Sequence, residues 1–316
     1  MHHHTRGLAA SAALVLAAGS ARADEGGTGH YLPGSLASFV DAVPAKPTVI
    51  VRANVFYYTG SIGVDLPIAG LDVANVNATI WGYGLTLAWR PPLELGHGLS
   101  YAMSATLPVL SVDVSGQVAL AGGGSVARSD SRTALGDLIV QPIMLMYPFS
   151  DDFSTNARVG IYAPTGSFEV GRLANTSKNF WTVEPILSFI YFGKHNGIEA
   201  AVFGGLDFNS TNQDTDYHSG AAAHVDGTLA LHLPLLGGLT GIGGTGFWYR
   251  QIEGDSGTGA KLGPFEGRTM AVGPVASYVV KLGSVPLTAE LKWLHEFDTQ
   301  RRLEGDLVFL KALLSL

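Results

Sequence analysis

From Val49 to the C-terminus, apolar and polar side chains alternate along runs of roughly ten to fifteen residues, the length of tilted membrane strands, broken by short Gly-, Asn- and Asp-rich turns. A period of two sends successive side chains to opposite faces of an extended strand. Val49, Val51, Ala53, Val55 and Tyr57 share one face, and Arg52 and Asn54 take the other. Ala200, Val202, Gly204, Leu206 and Phe208 alternate with Glu199, Ala201, Phe203, Gly205 and Asp207. Between Val225 and Leu233 the even positions are Asp226, Thr228, Ala230 and His232, and the odd ones are apolar or Gly. From Leu287 to Phe297, Thr288, Glu290, Lys292 and Glu296 share the even face with one intruder, Leu294. Val308, Leu310, Ala312, Leu314 and Leu316 run to the terminus opposite Lys311 and Ser315, as suits a strand that closes a sheet at the chain end.

Such alternation fits a soluble sandwich or a barrel in lipid, and composition separates them. The outer face of a sandwich needs dense Lys, Glu and Asp. Only 14% of these 316 residues are charged, against about 25% in typical soluble domains, and the mean hydropathy is +0.24. The polar faces are mostly Ser, Thr, Gly and Asn, and aromatics gather towards segment ends, as at Tyr57-Tyr58, Trp89, Trp181 and Trp248-Tyr249. No stretch behind the first residues holds enough consecutive apolar side chains for a spanning helix. In hydrocarbon every backbone N–H and C=O needs a partner, which a sheet achieves only by closing. The reading is an all-β, antiparallel transmembrane β-barrel of about 12 strands, residues 49–316, preceded by an irregular N-terminal segment. The count rests on the even numbers such barrels use. It leaves a break near Pro108 to Val112 and assigns Gly122 to Arg132 to a loop.

The front of the chain sets the compartment. A short cationic region with Arg6, an apolar core from Leu8 to Ala18, and Ala21-Arg22-Ala23 have the layout of a secretory signal, residues 1–23, cleaved before Asp24. Residues 24–48, broken by Gly26, Gly27, Gly29, Pro33, Gly34, Pro44 and Pro47, form the irregular segment, a candidate plug. The chain has no Cys, so no disulfide framework and no lipid-modified cysteine is available. Its formal charge of −7 argues against nucleic acid as a partner. The expected location is the outer membrane of a Gram-negative cell. The expected partners are the lipid bilayer, lipopolysaccharide and the barrel-assembly machinery.

Chemistry finds little purchase. Gly122-Gly123-Gly124-Ser125 lacks the Lys of a phosphate loop, and Gly241 to Gly246 has no βαβ context for a dinucleotide. Asn212, Asp214, Asp216 and His218 form a polar cluster whose oxygens could serve a loop calcium site, but a solvated surface loop is the favoured reading. His195, His224, His232 and His295 are dispersed without a ligand spacing, and no Ser stands in a nucleophile setting. No catalytic residue, metal or cofactor is assigned, and the chain is read as not an enzyme. Charge on a lipid-facing position at mid-depth costs about 2–4 kcal/mol for Arg or Lys. The candidate lumen-lining residues are therefore Arg52, Asn54, Glu199, Asp207, Asp226, Arg250, Glu290 and Lys292.

Three stretches carry a resemblance: His30-Tyr31-Leu32-Pro33-Gly34, Ala163-Pro164-Thr165-Gly166-Ser167-Phe168, and Trp293-Leu294-His295-Glu296-Phe297 followed by Arg302-Leu303-Glu304-Gly305-Asp306. From about Gly29 to the C-terminus the chain resembles the outer-membrane family named for the meta-pathway of phenol degradation. The resemblance implies a β-barrel that admits hydrophobic or aromatic compounds, distantly similar to long-chain fatty-acid channels, and supplies no binding residues. The expected function is passive uptake of small hydrophobic or aromatic compounds. The alternatives are a general porin for hydrophilic solutes and a non-transporting structural or adhesive barrel.

Overall fold

The computed structural model describes residues 25–93, 95–264 and 266–316. The expected export signal, 1–23, lies outside them. Fourteen strands follow in order: β1 Thr48–Ile62, β2 Leu66–Ile68, β3 Leu71–Arg90, β4 Ser100–Ala119, β5 Ser125–Leu135, β6 Leu138–Pro148 and β7 Phe153–Ala163. The second half holds β8 Thr182–Phe192, β9 Ile198–Asn209, β10 Ala222–Leu235, β11 Gly238–Gln251, β12 Arg268–Leu282, β13 Val285–Gln300 and β14 Glu304–Ser315. Twelve of them form a closed antiparallel ring, β1-β3-β4-β6 and onward in sequence to β14, with β2 and β5 as additions to β3 and β4. The ring shuts where β14 pairs with β1, from Ile50 opposite Ser315 to Ser61 opposite Glu304. The terminal residue joins this seam, the Leu316 N–H donating to the Val49 carbonyl at 2.8 Å.

The alternation read from the sequence is turned inside out relative to a soluble protein. Leu229 is 64% exposed on the outer face, and its neighbour Thr228 is 6% exposed on the inner one. Leu85, Leu206, Ile242, Val272, Leu291 and Leu310 all project outward. Removing a large apolar side chain from water is worth about 1.5–3 kcal/mol, so such a belt needs hydrocarbon around it. Inside, Glu184, Glu199, Asp226, Glu290, Lys292 and Lys311 are almost fully buried.

Two departures from the sequence reading share one cause. The break expected near Pro108 is absent, because β4 runs unbroken from Ser100 to Ala119. The segment Gly122 to Arg132, expected as loop, is largely β5. The first half of β4 pairs with β6 and the second half with β5. Those two partners part at Gly136-Asp137, where the Gly136 N–H donates to the Pro108 carbonyl at 2.9 Å. In an antiparallel ladder a residue's N–H and C=O face the same neighbour. The missing N–H of Pro108 therefore falls at this seam and costs no ladder bond.

The two mouths differ. One carries tight connections at 149–152, 193–197, 236–237 and 283–284, and the other carries the longer segments 164–181, 210–221 and 252–267. The irregular segment does not hang outside. It enters near the long-loop mouth, runs down the interior with two short 3-10 turns, Glu25–Gly27 and Phe39–Asp41, and leaves at the short-turn mouth to become β1.

A strapped lumen as the candidate functional site

Residues 25–47 have no period of their own, so their course is set by what the wall offers them. At the long-loop mouth the Glu25 carboxylate accepts from Asn212 Nδ2 at 2.9 Å and Thr215 Oγ1 at 3.2 Å. Burial raises its pKa. Lys178 Nζ donates to Thr28 at 2.6 Å. The His30 ring lies between Asp137, at 2.8 Å, and Thr182, at 2.7 Å.

Midway, Asp226 of β10 gathers three donors. The Tyr31 hydroxyl reaches it at 2.8 Å, the Gly34 N–H at 2.5 Å and His224 Nδ1 at 3.0 Å. Gly34 has φ +85°, and a Cβ there would meet Leu294 at 2.6 Å, so both its backbone and its space demand glycine. Leu294, the intruder on the even face of β13, is thus the surface on which the strap turns. Its full burial accounts for an apolar residue in that register.

Further down, the Phe39 N–H donates to Glu199 at 2.8 Å, and the Ser38 hydroxyl donates to Glu290. Asp41 is the most heavily counter-charged group of the strap. Lys311 Nζ contacts both of its oxygens, at 2.6 and 2.7 Å, and Arg52 Nη1 reaches it at 3.1 Å. Arg158 Nη2 donates to its backbone carbonyl at 2.8 Å. Burial alone would raise the Asp41 carboxyl, but the ammonium of Lys311 and the guanidinium of Arg52 outweigh it and hold it well below the usual carboxylate range. Apolar packing adds to these bonds, Tyr31 and Leu36 clustering with Ile186, Ile190 and Phe203, and Val43 with Ala102, Met144 and Met146.

Most of these latches lie on the β7–β14 arc and at the adjoining edge of β1. Across from them, between the strap and the inner faces of β1, β3 and β4, is a cavity of about 350 Å³. Phe56, Ile80, Leu110, Val112 and Phe309 form much of its wall, Leu32 and Leu36 its strap side, and Phe168 and Leu173 its cover near the long-loop mouth. Asn54, Thr86 and Thr106 form a polar strip across the wall, and Arg52, Asp137, Lys178, Glu296, Arg302 and Lys311 are charged members of the same lining.

Of the residues singled out from the sequence, seven project inward. Arg52 meets Asp41, Asn54 meets Thr86, Glu199 meets His232 at 2.8 Å, and Glu290 stands 3.4 Å from Lys292. Asp226 and Asp207 lie on the inner faces of β10 and β9, both buried. Arg250 is a correction. It sits on the outward face near the end of β11, its side chain 51% exposed and 3.9 Å from Glu266. At a strand end the hydrocarbon is already behind, so an outward guanidinium meets water or headgroups without the mid-depth cost.

The sequence reading gave no lumen role to Tyr31, Asp41, Arg158 or Glu184. Glu184, Asp207 and His224 offer ligand atoms within 4.8 Å of one another, a grouping that strand spacing alone does not reveal. Both ring nitrogens of His224 are engaged, Nε2 with Glu184 at 2.9 Å and Nδ1 with Asp226 at 3.0 Å. Carboxylates only accept, so an imidazolium satisfies this bridge. Metal ligation by Glu184, Asp207 and His224 would require a neutral His224 released from one of these two bonds. The acidic loop is tied to the two neighbouring loops: Asn179 Nδ2 donates to Asn212 and Asp214, and Thr258 donates to Asp216.

The fold is that of outer-membrane channels, and the chain is a cell outer-membrane protein. The COG4313 outer membrane channel from Pseudomonas putida F1 is similar at a TM-score of 0.59 and 15% identity, over 87% of this chain and 97% of that one. The β domain of the Bordetella autotransporter BrkA is similar at a TM-score of 0.46 and 12% identity, over 85% and 99% of the two chains. No curated protein matches this sequence. The family described as putative MetA-pathway of phenol degradation matches residues 65–312, most of the chain, and this protein belongs to it.

Proposed function

We propose that this barrel lets small hydrophobic or aromatic compounds diffuse across the outer membrane down their own gradient. The observation that carries the reading is the mostly apolar cavity held open between the strap and the β1–β3–β4 wall. A general porin for hydrophilic solutes needs a wide polar bore, and the strap fills that space with Tyr31, Leu32, Leu36 and Phe39. A purely structural barrel has no use for an apolar chamber inside a charged interior. Short turns face the periplasm in barrels of this type, so the long-loop mouth, with Phe168 and Leu173 above the cavity, is the outer entrance. The lipopolysaccharide layer excludes apolar molecules, and the barrel carries them past it. The bilayer, lipopolysaccharide and the assembly machinery are its partners in this reading.

The test is the initial uptake rate of labelled toluene and labelled arabinose by cells with and without the protein. The expected result is faster toluene entry and unchanged arabinose entry. Equal toluene rates in the two strains contradict the reading, and faster arabinose entry alone favours the hydrophilic porin.

A further inference from the structure

The polar strip in the cavity is built from three neutral side chains on adjacent strands: Asn54 on β1, Thr86 on β3 and Thr106 on β4. Asn54 Nδ2 donates to Thr86 Oγ1 at 3.1 Å and to the Gly84 carbonyl at 3.4 Å. The Thr86 and Thr106 hydroxyls stand 2.7 Å apart. Two hydroxyls sharing one hydrogen bond leave one O–H hydrogen over, whichever of them donates. The amide of Asn54 keeps its oxygen, which accepts from no described group. The strip thus presents one donor and one acceptor to a chamber that is otherwise largely hydrocarbon.

The charged groups of the lining have partners of their own, Asp137 with His30, Lys178 with Thr28 and Glu296 with Tyr58, while Nε of Arg52 has none. Arg52, the next inward position on β1 towards the short-turn mouth, is held by Asp41, and Lys311 by Asp41 and the Ser35 carbonyl. On the β4 side the next inward group, Ser104, donates to Gln141 at 3.3 Å. One spare donor does not satisfy a carboxylate, whose two oxygens accept several hydrogen bonds. A ligand without polar atoms would leave both the hydroxyl and the amide oxygen unpaired, and an unmade bond in an apolar setting is costly.

We propose that the cavity is a binding site for a neutral solute that joins an apolar body to one hydroxyl- or carbonyl-type head, the head being read by Asn54, Thr86 and Thr106. This rests on the uptake reading and gives it a substrate class. The volume, about 350 Å³, lies at the low end of the roughly 300–1,000 Å³ typical of small-molecule sites. It suits a solute of one ring or a short chain. Thr86, only 1% exposed, is the centre of the strip, bonded on both sides, and fixes the orientation of its two neighbours.

The experiment measures binding of 4-fluorobenzyl alcohol, 4-fluorotoluene and 4-fluorobenzoate by ¹⁹F NMR to the full-length protein in nanodiscs, with empty discs subtracted. The expected order is alcohol above toluene above benzoate. Thr86→Val, Thr106→Val and Asn54→Leu each weaken alcohol binding about three- to tenfold, the worth of one hydrogen bond, and leave fluorotoluene binding as tight as in the wild type or tighter, since each replaces by hydrocarbon a polar group that toluene cannot pair. Retained fluorotoluene binding also shows that each variant has folded with its cavity intact. Equal binding of alcohol and toluene, or variants without effect, overturns the proposal and leaves uptake of apolar solutes standing. Benzoate binding tightest overturns it in favour of recognition through Arg52. Binding of none of the three also overturns it, and the toluene uptake rate in cells then decides the broader reading separately.

Discussion

The Tyr31 ring lies against the His224 imidazole, centroids 3.6 Å apart and planes inclined by 20°, while its hydroxyl donates to the carboxylate of Asp226, which His224 also contacts. One strap residue thus covers an otherwise charged patch of the wall and is hydrogen-bonded to it. Tyr31→Phe keeps the stacking and removes the bond. A hydrogen bond to a charged group is worth about 1.5–3 kcal/mol, so the strap should open more often by the corresponding factor. Amide exchange of the Leu32–Leu36 region checks this, with exchange in β10 and β11 as the unchanged internal reference.

Lys311 and Asp41 form a buried ion pair at 2.6 Å, with Arg52 as second counter-ion. Removing one partner of a buried pair costs about 3–5 kcal/mol because the other charge stays behind. Lys311→Met should lower the thermal transition of the purified barrel and raise the frequency of open events in planar-bilayer recordings. Asp41→Asn in the same background should recover much of the loss, since no buried carboxylate is then left with a single cation. Additive losses in the double variant would contradict the pairing.

How far was this readable from residues alone? Alternation exposes which face of each strand is apolar, and β9, β10, β13 and β14 follow it almost residue by residue. It does not reveal depth along the strand, which is why Arg250 was assigned to the interior although it stands at a rim. The strap was legible only as irregular, because Tyr31 and Asp41 owe their positions to residues nearly two hundred and three hundred places away, Asp226 and Lys311. Contacts of that range leave no local period. Pro108 read as a break because a proline N–H is missed only if a ladder partner needed it there.

The two ends of the strap should respond to acid in opposite senses. The folded pKa of Asp41 is depressed, so its contribution is fully present above the unfolded value of about 3.9. It is lost only as pH falls through the lower folded value. The folded pKa of Glu25 is raised by burial, so its ionisation opposes docking once pH climbs past the unfolded value of about 4.3, and acidification relieves that penalty. Amide exchange corrected for intrinsic rate should show residues 25–28 better protected near pH 4.5 than at pH 7.5, a window set by those model values. Residues 37–42 should stay unchanged over that window. Loss of protection at both ends together would contradict the assignment.

Arg250 and Glu290 give a contrast between rim and interior. Arg250→Ala removes an exposed side chain 3.9 Å from Glu266, and surface changes of this kind fall within about 0.5 kcal/mol. Glu290→Leu removes the acceptor of the Ser38 hydroxyl and leaves Lys292 buried without its neighbouring carboxylate. Thermal unfolding in detergent should leave the first variant at the wild-type midpoint and drop the second clearly.

Passage of an apolar solute past lipopolysaccharide is tested most directly with purified protein in vesicles whose outer leaflet is lipopolysaccharide and inner leaflet phospholipid. The rate to follow is the entry of a small aromatic quencher reaching an enclosed fluorophore. Entry should accelerate in proportion to the amount of barrel inserted, while a sugar of similar size gains nothing. An entry rate independent of the amount of protein would contradict the account.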